Sequence, residues 1–425
     1  MKKLRLKKIM SGLLTGAMAL IICISTAGTA LAADEPLPDG APENPVGAAI
    51  TKVLQMPQGT TIPTATFTFD IQKVSIDGDV SAAAIVAMPE LTGSITVNDT
   101  SDNILDGDKK IVTKNTGDLL VGRTWPHAGE YIYKVTEAAN SYIITDANKE
   151  TLTYSQAKYE LHVYIAEAAD GSLYVKSAGA VIIKDQNNST GGAGEKVDPS
   201  VPATEAEGNN FKFVNTYIKT PGGGEAPNPD TQSMAISKAV SGALASKTKY
   251  FPFEVTITNN TLISAAGYYN AYICTLSGGT YTKVSDAEAD NQYDTGRDYV
   301  SFTTGTMQEI TLKHGQYLVF MDCPQGTVYS VTERAVSGYI AAVHLVTGGT
   351  AINPDLANTT ANTALSTGDR IVTASGANSA AFTNTYATTV PTGIIIDNLP
   401  FIVMILSGIG AFTAFIVNKR RKMVR

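Results

Sequence analysis

Three short segments occur twice in the same order, and each presents one polar residue on a hydrophobic strand face. The first copy reads AAITKVL, YIYKVTE and FKFVNTY, and the second reads MAISKAV, VYSVTE and AFTNTY. Alternate residues of an extended strand share a face, so Lys52 lies with Ile50 and Leu54. The same parity singles out one lysine, one glutamate and one asparagine in each copy: Lys52, Glu137 and Asn215, then Lys238, Glu333 and Asn384.

These three residue types are costly to bury, and together they can react. Desolvation lowers the pKa of a lysine and raises the pKa of a glutamate. A neutral lysine can then attack the side-chain carbon of the asparagine, while the glutamate moves protons and ammonia leaves. The product is a Lys–Asn isopeptide bond, formed once per domain without turnover. Folding supplies proximity, for which effective molarities reach the order of 10⁵–10⁸ M. A plain buried Lys–Glu ion pair is the simpler interpretation, but it does not require an asparagine in both copies.

Strands must position these residues, and the sequence predicts an all-β chain. Many short strand patterns separated by turn signals are typical of β-sandwiches. We predict one domain at residues 44–218 and another at 232–387. The segment 219–231, which contains TPGGGEAPNPD, is dense in Gly and Pro and predicts a linker. Two long polar stretches, 185–210 and 346–378, are expected to be surface loops.

The two ends of the chain predict export and anchoring. Residues 1–33 combine basic residues, an apolar stretch and the run TALAA, which indicates a signal peptide cleaved after Ala32 or Ala33. An N-terminal membrane anchor is the alternative. Residues 388–425 contain TVPTG, an apolar run over 399–417 and the basic cluster NKRRK. The run has about the ~20 residues that a transmembrane helix needs, and the basic cluster fits its cytoplasmic end.

Charge excludes several classes of partner. Without the signal peptide and the part beyond Thr392, the chain carries 22 basic and 38 acidic residues, a net charge of −16. Such an acidic exterior argues against binding to nucleic acid and to anionic membrane surfaces.

Cysteines and metal-ligand patterns add little chemistry. Cys274 and Cys323 remain after removal of the signal peptide, and an extracellular pair permits a disulfide. Two buried thiols are the alternative. The four histidines lack metal-ligand spacing, and the segments IDGD and LDGD lack the remaining positions of a calcium loop. We therefore expect neither a metal nor a cofactor.

The repeated segments resemble the backbone pilins of Gram-positive bacteria, of the streptococcal major-pilin type. The similar stretches are ITKVL, AGEYIYKVTE and FKFVNTY in the first half, and ISKAVSG, GTVYSVTE and FTNTY in the second. The resemblance implies two tandem Ig-like (CnaB-type) β-sandwich domains. It also implies roles for six residues: the reactive lysines Lys52 and Lys238, their partners Asn215 and Asn384, and the catalytic glutamates Glu137 and Glu333.

The C-terminal pattern resembles a cell-wall sorting signal, which a sortase cleaves between Thr and Gly. Here these residues are Thr392 and Gly393. The usual pentapeptide is LPxTG, whereas Thr389 and Val390 stand where Leu and Pro would be. Variants of the VPTG type occur in streptococcal backbone pilins, but the class of sortase stays open.

A polymerisation lysine is also implied by the resemblance. In the family a sortase joins such a lysine, in the first domain, to the Thr carboxyl group of the next subunit. Lys196, in GEKVDP, best resembles the family's local sequence, and Lys184 and Lys212 are alternatives. An ordinary loop lysine is the simpler interpretation of Lys196.

The resemblance implies a structural protein and not an enzyme with turnover. The expected partners are a sortase, identical subunits in a covalent polymer, accessory pilins and peptidoglycan, on the surface of the cell wall. One alternative is a monomeric wall-anchored surface protein, minor pilin or adhesin with the same domains. Another is a surface enzyme or glycan-binding module, which would cluster catalytic groups in its loops.

Overall fold

A computed structural model of the chain describes Met404 and the following ranges: 38–204, 206–222, 226–263, 267–373 and 377–387. The predicted signal peptide (1–33), Thr392, Gly393 and the C-terminal apolar run lie outside these residues, apart from Met404. Within the described ranges, no helix is long and apolar enough to cross a membrane.

Strands form nearly all the regular structure of the described residues, so the all-β prediction is confirmed. The first half has one helix, α1 (Ala82–Ala87), which Ser81 caps by accepting a hydrogen bond from the Ala84 N–H at 3.3 Å. Its strands are β1 (Thr51–Pro57), β2 (Ala65–Ile76), β3 (Ser94–Val97), β4 (Ile104–Asp106), β5 (Lys109–Asn115), β6 (Gly129–Glu137), β7 (Glu150–Thr153), β8 (Lys158–Glu167), β9 (Leu173–Lys184), β10 (Lys196–Val197) and β11 (Lys212–Lys219).

The second half continues the same style of structure. Its strands are β12 (Met234–Ser241), β13 (Phe251–Thr258), β14 (Tyr268–Ser277), β15 (Thr280–Lys283), β16 (Val300–Thr303), β17 (Met307–Leu312), β18 (Gln316–Phe320), β19 (Val328–Glu333), β20 (Tyr339–Thr347), β21 (Thr350–Ala357), β22 (Leu365–Ser366), β23 (Arg370–Ile371) and β24 (Ser379–Tyr386). Strands β10 and β21–β23 fall in the stretches that were expected to be loops. Strands form there because pairing with neighbouring strands satisfies their backbone groups.

Two sheets enclose the core of the first half. One has the order β4-β5-β1-β11-β7 and the other β10-β9-β8-β6-β2-β3. The first strand, β1, runs parallel to the last strand, β11, and antiparallel to β5. Buried side chains from both sheets form one hydrophobic cluster drawn from residues 48–217.

The second half repeats the central feature of this plan. Its larger sheet has the order β15-β14-β18-β12-β24-β20-β21, with β16 beside β14. The smaller sheet has the order β17-β13-β19-β22, with β23 beside β19. Here too the first strand, β12, runs parallel to the last, β24. A separate hydrophobic cluster, drawn from residues 234–382, fills the space between the sheets.

Period-two burial explains why these segments are strands. In β13 the buried residues Phe251, Phe253, Val255 and Ile257 alternate with half-exposed ones. Burying each such side chain stabilises the fold by about 1.5–3 kcal/mol. A helix of the same sequence would scatter these side chains around its axis, so the pattern favours a strand that faces a core.

The disulfide considered between Cys274 and Cys323 does not form in the structure. Both cysteines are buried free thiols, as the alternative predicted. Cys323 lies in the main core, whereas Cys274 packs with Ala235 and Val319 in a small separate cluster. Ile273, next to Cys274 on β14, belongs to the main core, so the two sulfur atoms lie on opposite faces of the sheet.

A few polar contacts join the two halves of the chain. The carboxylate of Asp108 accepts hydrogen bonds from Thr261, at 2.7 Å from its N–H and 2.8 Å from its hydroxyl. The Gln325 N–H donates to the Lys219 carbonyl at 2.8 Å. These bonds place loops of the second half against the end of the first.

Candidate functional site

In the first half, the predicted lysine, glutamate and asparagine meet inside the core. Lys52 Nζ donates to both carboxylate oxygens of Glu137 at 2.8 Å, and Asn215 Nδ2 donates to Glu137 Oε1 at 2.7 Å. The side chains of Lys52 and Glu137 are fully buried. Glu137 therefore lies between the amine and the amide and contacts both.

Strand register produces this meeting. On the parallel strands β1 and β11, Lys52 lies opposite Phe213, and Leu54 lies opposite Asn215. Asn215 is thus two positions beyond the residue that faces Lys52, on the same face of the sheet. Glu137 ends β6 in the facing sheet, where it pairs with Phe69. The lysine and the asparagine come from one sheet and the glutamate from the other.

Burial sets the protonation of the lysine. Lys52 Nζ lies 4.6 Å from the centroid of the Phe67 ring, in surroundings that are mostly apolar. Desolvation lowers the pKa of Lys52 to about 8, although the charge and hydrogen bond of Glu137 act in the opposite direction. A neutral amine is therefore accessible near neutral pH.

The amide oxygen of Asn215 has a donor of its own. The Ser155 N–H donates to Asn215 Oδ1 at 2.8 Å. Ser155 is held in turn by Gln186, whose Oε1 accepts from the Ser155 hydroxyl at 2.5 Å and from the Val214 N–H at 3.0 Å. Strand parity predicts neither Ser155 nor Gln186, because it says nothing about polar residues in connecting segments.

The second half contains the same arrangement. Lys238 Nζ donates to Glu333 Oε1 at 2.8 Å, and Asn384 Nδ2 donates to the same oxygen at 2.6 Å. Lys238 Nζ lies 4.3 Å from the Phe251 ring centroid. Lys238 faces Phe382, and Val240 faces Asn384, so the offset of two positions recurs.

Burial shifts the pKa values of both Lys238 and Glu333 at this second site. Desolvation lowers the pKa of Lys238 to about 8 and raises the pKa of Glu333, with the ion pair opposing both shifts. Glu333 Oε2 and Asn384 Oδ1 are buried and accept no hydrogen bond from the described residues. A proton on Glu333 would supply a donor to this group of acceptors.

Both sites can carry out the same chemistry. Moving one proton from the lysine to the glutamate, along a 2.8 Å hydrogen bond, converts an ion pair into an amine and a carboxylic acid. No net charge is created, and low polarity favours the neutral pair. The amine is then a nucleophile beside an amide whose nitrogen already contacts the acid.

The three candidate polymerisation lysines differ in exposure. Lys196 is exposed on β10, the edge strand of its sheet. Lys184 is half-buried at the end of β9, and its Nζ donates to the Asn188 carbonyl at 3.4 Å. Lys212 is half-buried on β11. Of the three, Lys196 is the most accessible to another protein.

Metal binding finds no support in the described part of the chain. No group of three or more His, Cys, Asp or Glu side chains there could hold a metal ion. The segments IDGD and LDGD include tight turns with positive φ at Asp77, Gly78 and Gly107. The Asp77 carboxylate accepts from the Glu130 N–H at 2.7 Å, a contact typical of a turn that is fixed to a neighbouring strand.

Two parts of the chain match models of known families. Residues 48–218 match the family model of the Spy0128-like isopeptide containing domain. The match confirms the resemblance of this part of the chain to Gram-positive pilins. Residues 232–386 match a different model, described as a domain of unknown function (DUF7601). No curated protein matches the chain.

Several solved structures are similar over most of this chain. The major pilin from Streptococcus pyogenes shares 19% sequence identity, over 81% of this chain and 99% of that one, with a TM-score of 0.32. The major pilin protein T3.2 from Streptococcus pyogenes serotype GAS13637 shares 16%, over 80% and 98%, with a TM-score of 0.29. The pilus-presented adhesin Spy0125 (Cpa) shares 12%, over 78% and 99%, with a TM-score of 0.22.

Proposed function

We propose that the chain is the backbone subunit of a sortase-assembled, wall-anchored pilus, and that each of its two domains forms one Lys–Asn isopeptide bond. The observation that carries the bond chemistry is the repeated geometry of the two sites. A buried glutamate contacts both a lysine and an asparagine in each, and the lysine and asparagine have the same strand offset. A plain ion pair would require neither the asparagine nor the offset.

The reaction follows from the contacts. In the first domain Lys52 gives a proton to Glu137, and its neutral Nζ attacks the Asn215 side-chain carbon, forming a new C–N bond and a negatively charged oxygen. Glu137 takes a second proton from Nζ as it returns the first to Nδ2. The C–Nδ2 bond breaks, ammonia leaves and the carbonyl re-forms. General acid–base catalysis of this kind contributes about 10²–10⁴-fold.

The product would suit a fibre under tension. Force that enters a domain through its first strand and leaves through its last would pass across the Lys–Asn bond. Most of the first domain lies in sequence between Lys52 and Asn215, and most of the second between Lys238 and Asn384. These stretches would be shielded from the force, because a covalent bond does not shear as strand hydrogen bonds do.

Assembly would use a second lysine and the C-terminal motif. A sortase would cleave between Thr392 and Gly393 and transfer the Thr carboxyl group to a lysine of the next subunit. Lys196 fits this role because it is exposed at a sheet edge. Accessory pilins and peptidoglycan would be the further partners, with the polymer on the outside of the cell wall. We also propose that both domains are Ig-like β-sandwiches of the CnaB type.

Intact-mass spectrometry of residues 34–391 tests the bonds. The expected mass is lower than that of the unlinked sequence by two ammonia molecules. Glu137→Ala should restore one ammonia and Glu333→Ala the other, and the double variant both. Proteolysis should yield one cross-linked peptide pair per domain, Lys52 with Asn215 and Lys238 with Asn384. A full, undiminished mass in the unmutated protein would refute the chemistry.

Polymer formation needs its own test. Wall extracts boiled in detergent and blotted for the chain should show a ladder of high-mass species, because covalent polymers survive these conditions. A single band would favour the rival function of a monomeric wall-anchored surface protein, minor pilin or adhesin.

A further inference from the structure

The two sites differ at the amide oxygen. Asn215 Oδ1 accepts a hydrogen bond from the Ser155 N–H at 2.8 Å. Asn384 Oδ1 is buried and accepts none from the described residues. In both sites the lysine and the asparagine donate to one oxygen of the glutamate, although Lys52 also contacts the second oxygen of Glu137 and Lys238 contacts only one of Glu333. The donor to the amide oxygen is found in the first site alone among the described residues.

Ser155 reaches the site because of how the chain crosses between sheets. It lies between β7, which belongs to the sheet of Asn215, and β8, which belongs to the facing sheet. Strand β7 pairs with β11 only over residues 216–219. The flank of β11 before this point is therefore open to other donors and acceptors.

Gln186 occupies that open flank and fixes Ser155. Its Nε2 donates to the Lys212 carbonyl at 2.8 Å, and its Oε1 accepts from the Val214 N–H and the Ser155 hydroxyl. The Ser155 hydroxyl accepts in turn from the Ala157 N–H at 3.1 Å. Ser155 is only 6% exposed, so water does not compete freely for its N–H.

A fixed N–H at this position does two things. It can only donate, so it holds the amide with Oδ1 toward Ser155 and with the leaving nitrogen toward Glu137. It also faces the atom on which negative charge develops when the amine attacks. Donors fixed in advance at such an atom in a dry site are effective catalysts, and removal of one costs about 10²–10³-fold in rate.

We propose that the backbone N–H of Ser155 stabilises the oxyanion that forms on Asn215 Oδ1, and that Gln186 positions it. The inference rests on the proposed isopeptide chemistry. The bond that forms joins Lys52 Nζ to the Asn215 side-chain carbon, and the bond that breaks releases ammonia. The N–H keeps its proton throughout. In the product it again donates to a neutral amide oxygen. The second domain has no equivalent backbone donor among its described residues.

Kinetics of bond formation test the role. The ectodomain, residues 34–391, is made by cell-free synthesis, samples are quenched in acid and urea, and cross-linked peptides from each domain are quantified by mass spectrometry. Ser155→Pro removes the N–H, whereas Ser155→Ala keeps it. We expect Ser155→Pro to slow the first-domain bond by about 10²–10³-fold. Ser155→Ala also loses the hydroxyl bond to Gln186, so we expect it to slow the first-domain bond as Gln186→Ala does, but by less than Ser155→Pro. The second-domain rate should be unchanged in both Ser155 variants.

The effect of proline on folding is measured separately in the Glu137→Ala variant, in which the first-domain bond is not expected to form. Thermal melting of Ser155→Pro with Glu137→Ala, compared with Glu137→Ala alone, reports the cost of proline to the unlinked fold. If the proline variant does not melt cooperatively, Gln186→Ala decides, since it releases Ser155 without altering the backbone. We expect Gln186→Ala to slow the first-domain bond and leave the second unchanged.

The outcomes distinguish this inference from the proposed function. A folded Ser155→Pro variant that links its first domain at the unmutated rate would overturn the role of the N–H. An unmutated rate in Gln186→Ala would do the same where proline prevents folding. Absence of cross-linked peptides from both domains of the unmutated protein would instead reject the isopeptide chemistry itself.

Discussion

Lys52 and Asn215 lie on adjacent parallel strands with an offset of two positions, so that both side chains reach the same carboxylate of Glu137. Lys238 and Asn384 show the same offset in the second domain. An offset of one would turn one partner out of the core, because successive residues face opposite sides of a strand. The register is therefore part of the chemistry as well as of the fold.

Loss of the bond should destabilise the first domain to a degree that depends on which partner is removed. Asn215→Ala prevents linkage but keeps the Lys52–Glu137 pair, and we expect it to lower the free energy of unfolding by about 2–4 kcal/mol, as for a disulfide. Glu137→Ala also leaves a buried lysine unpaired, which adds up to about 3–5 kcal/mol. Urea unfolding followed by fluorescence measures both.

A matched control separates the two contributions. The double variant Lys52→Met, Glu137→Gln has neither the bond nor a buried charge. Its stability should return close to that of Asn215→Ala. Equal stability of Glu137→Ala and Asn215→Ala would show that the buried lysine carries no penalty.

Mechanical extension should be blocked one domain at a time. In single-molecule pulling between the ends of the ectodomain, the linked protein should show no unfolding event that releases the chain between Lys52 and Asn215. Glu137→Ala should restore one such event in the first domain, and Glu333→Ala one in the second. A full-length extension of the unmutated protein would contradict the proposed path of force.

Stability of an unlinked first domain should rise with pH across the alkaline range. Burial lowers the pKa of Lys52 from its ordinary 10.5 to about 8 in the folded state. Between these values the unfolded chain binds more protons than the folded one, so the free energy of unfolding increases with pH. Below pH 8 the cost of the buried charge is fully present, and it is lost as the pH approaches 10.5.

The pH effect is measured by comparison of two variants. Urea unfolding of Asn215→Ala should show the rise, whereas Asn215→Ala combined with Lys52→Met should lack it. Tyrosines titrate equally in both, so the difference in slope belongs to Lys52. Parallel curves would mean that Lys52 keeps its ordinary pKa in the folded protein.

Polymerisation should depend on Lys196. In cells that express the chain with its sortase, Lys196→Ala should replace the high-mass ladder by monomer, because the nucleophile for the next subunit is lost. Lys184→Ala and Lys212→Ala serve as matched controls and should keep the ladder. A ladder that persists in Lys196→Ala but disappears in one of the controls would move the role to that lysine.

Local rules predicted some features of the structure and not others. The inward parity of Lys52, Glu137 and Asn215 follows from strand alternation, which depends only on neighbouring residues. The offset between Lys52 and Asn215 could not be predicted, because the register between the first and last strands depends on contacts distant in sequence. For the same reason the contact between each glutamate and its own lysine was inferred from repetition rather than from geometry.

The failures have the same physical origin. Ser155 and Gln186 gave no signal, since polar residues in connecting segments are usually solvated. The crossing between sheets buries Ser155, and the half-buried Gln186 contacts it there. Cys274 and Cys323 could not be assigned, because whether two cysteines face each other depends on which side of a sheet each occupies.

The parallel pairing of first and last strands also fixes where the chain enters and leaves each domain. In each domain the chain begins β1 or β12 at one end of the sheet and finishes β11 or β24 at the opposite end. The two termini of each domain therefore lie at opposite ends of its sheet. Whole domains of this kind could be added or lost in evolution without reversing the orientation of those that remain.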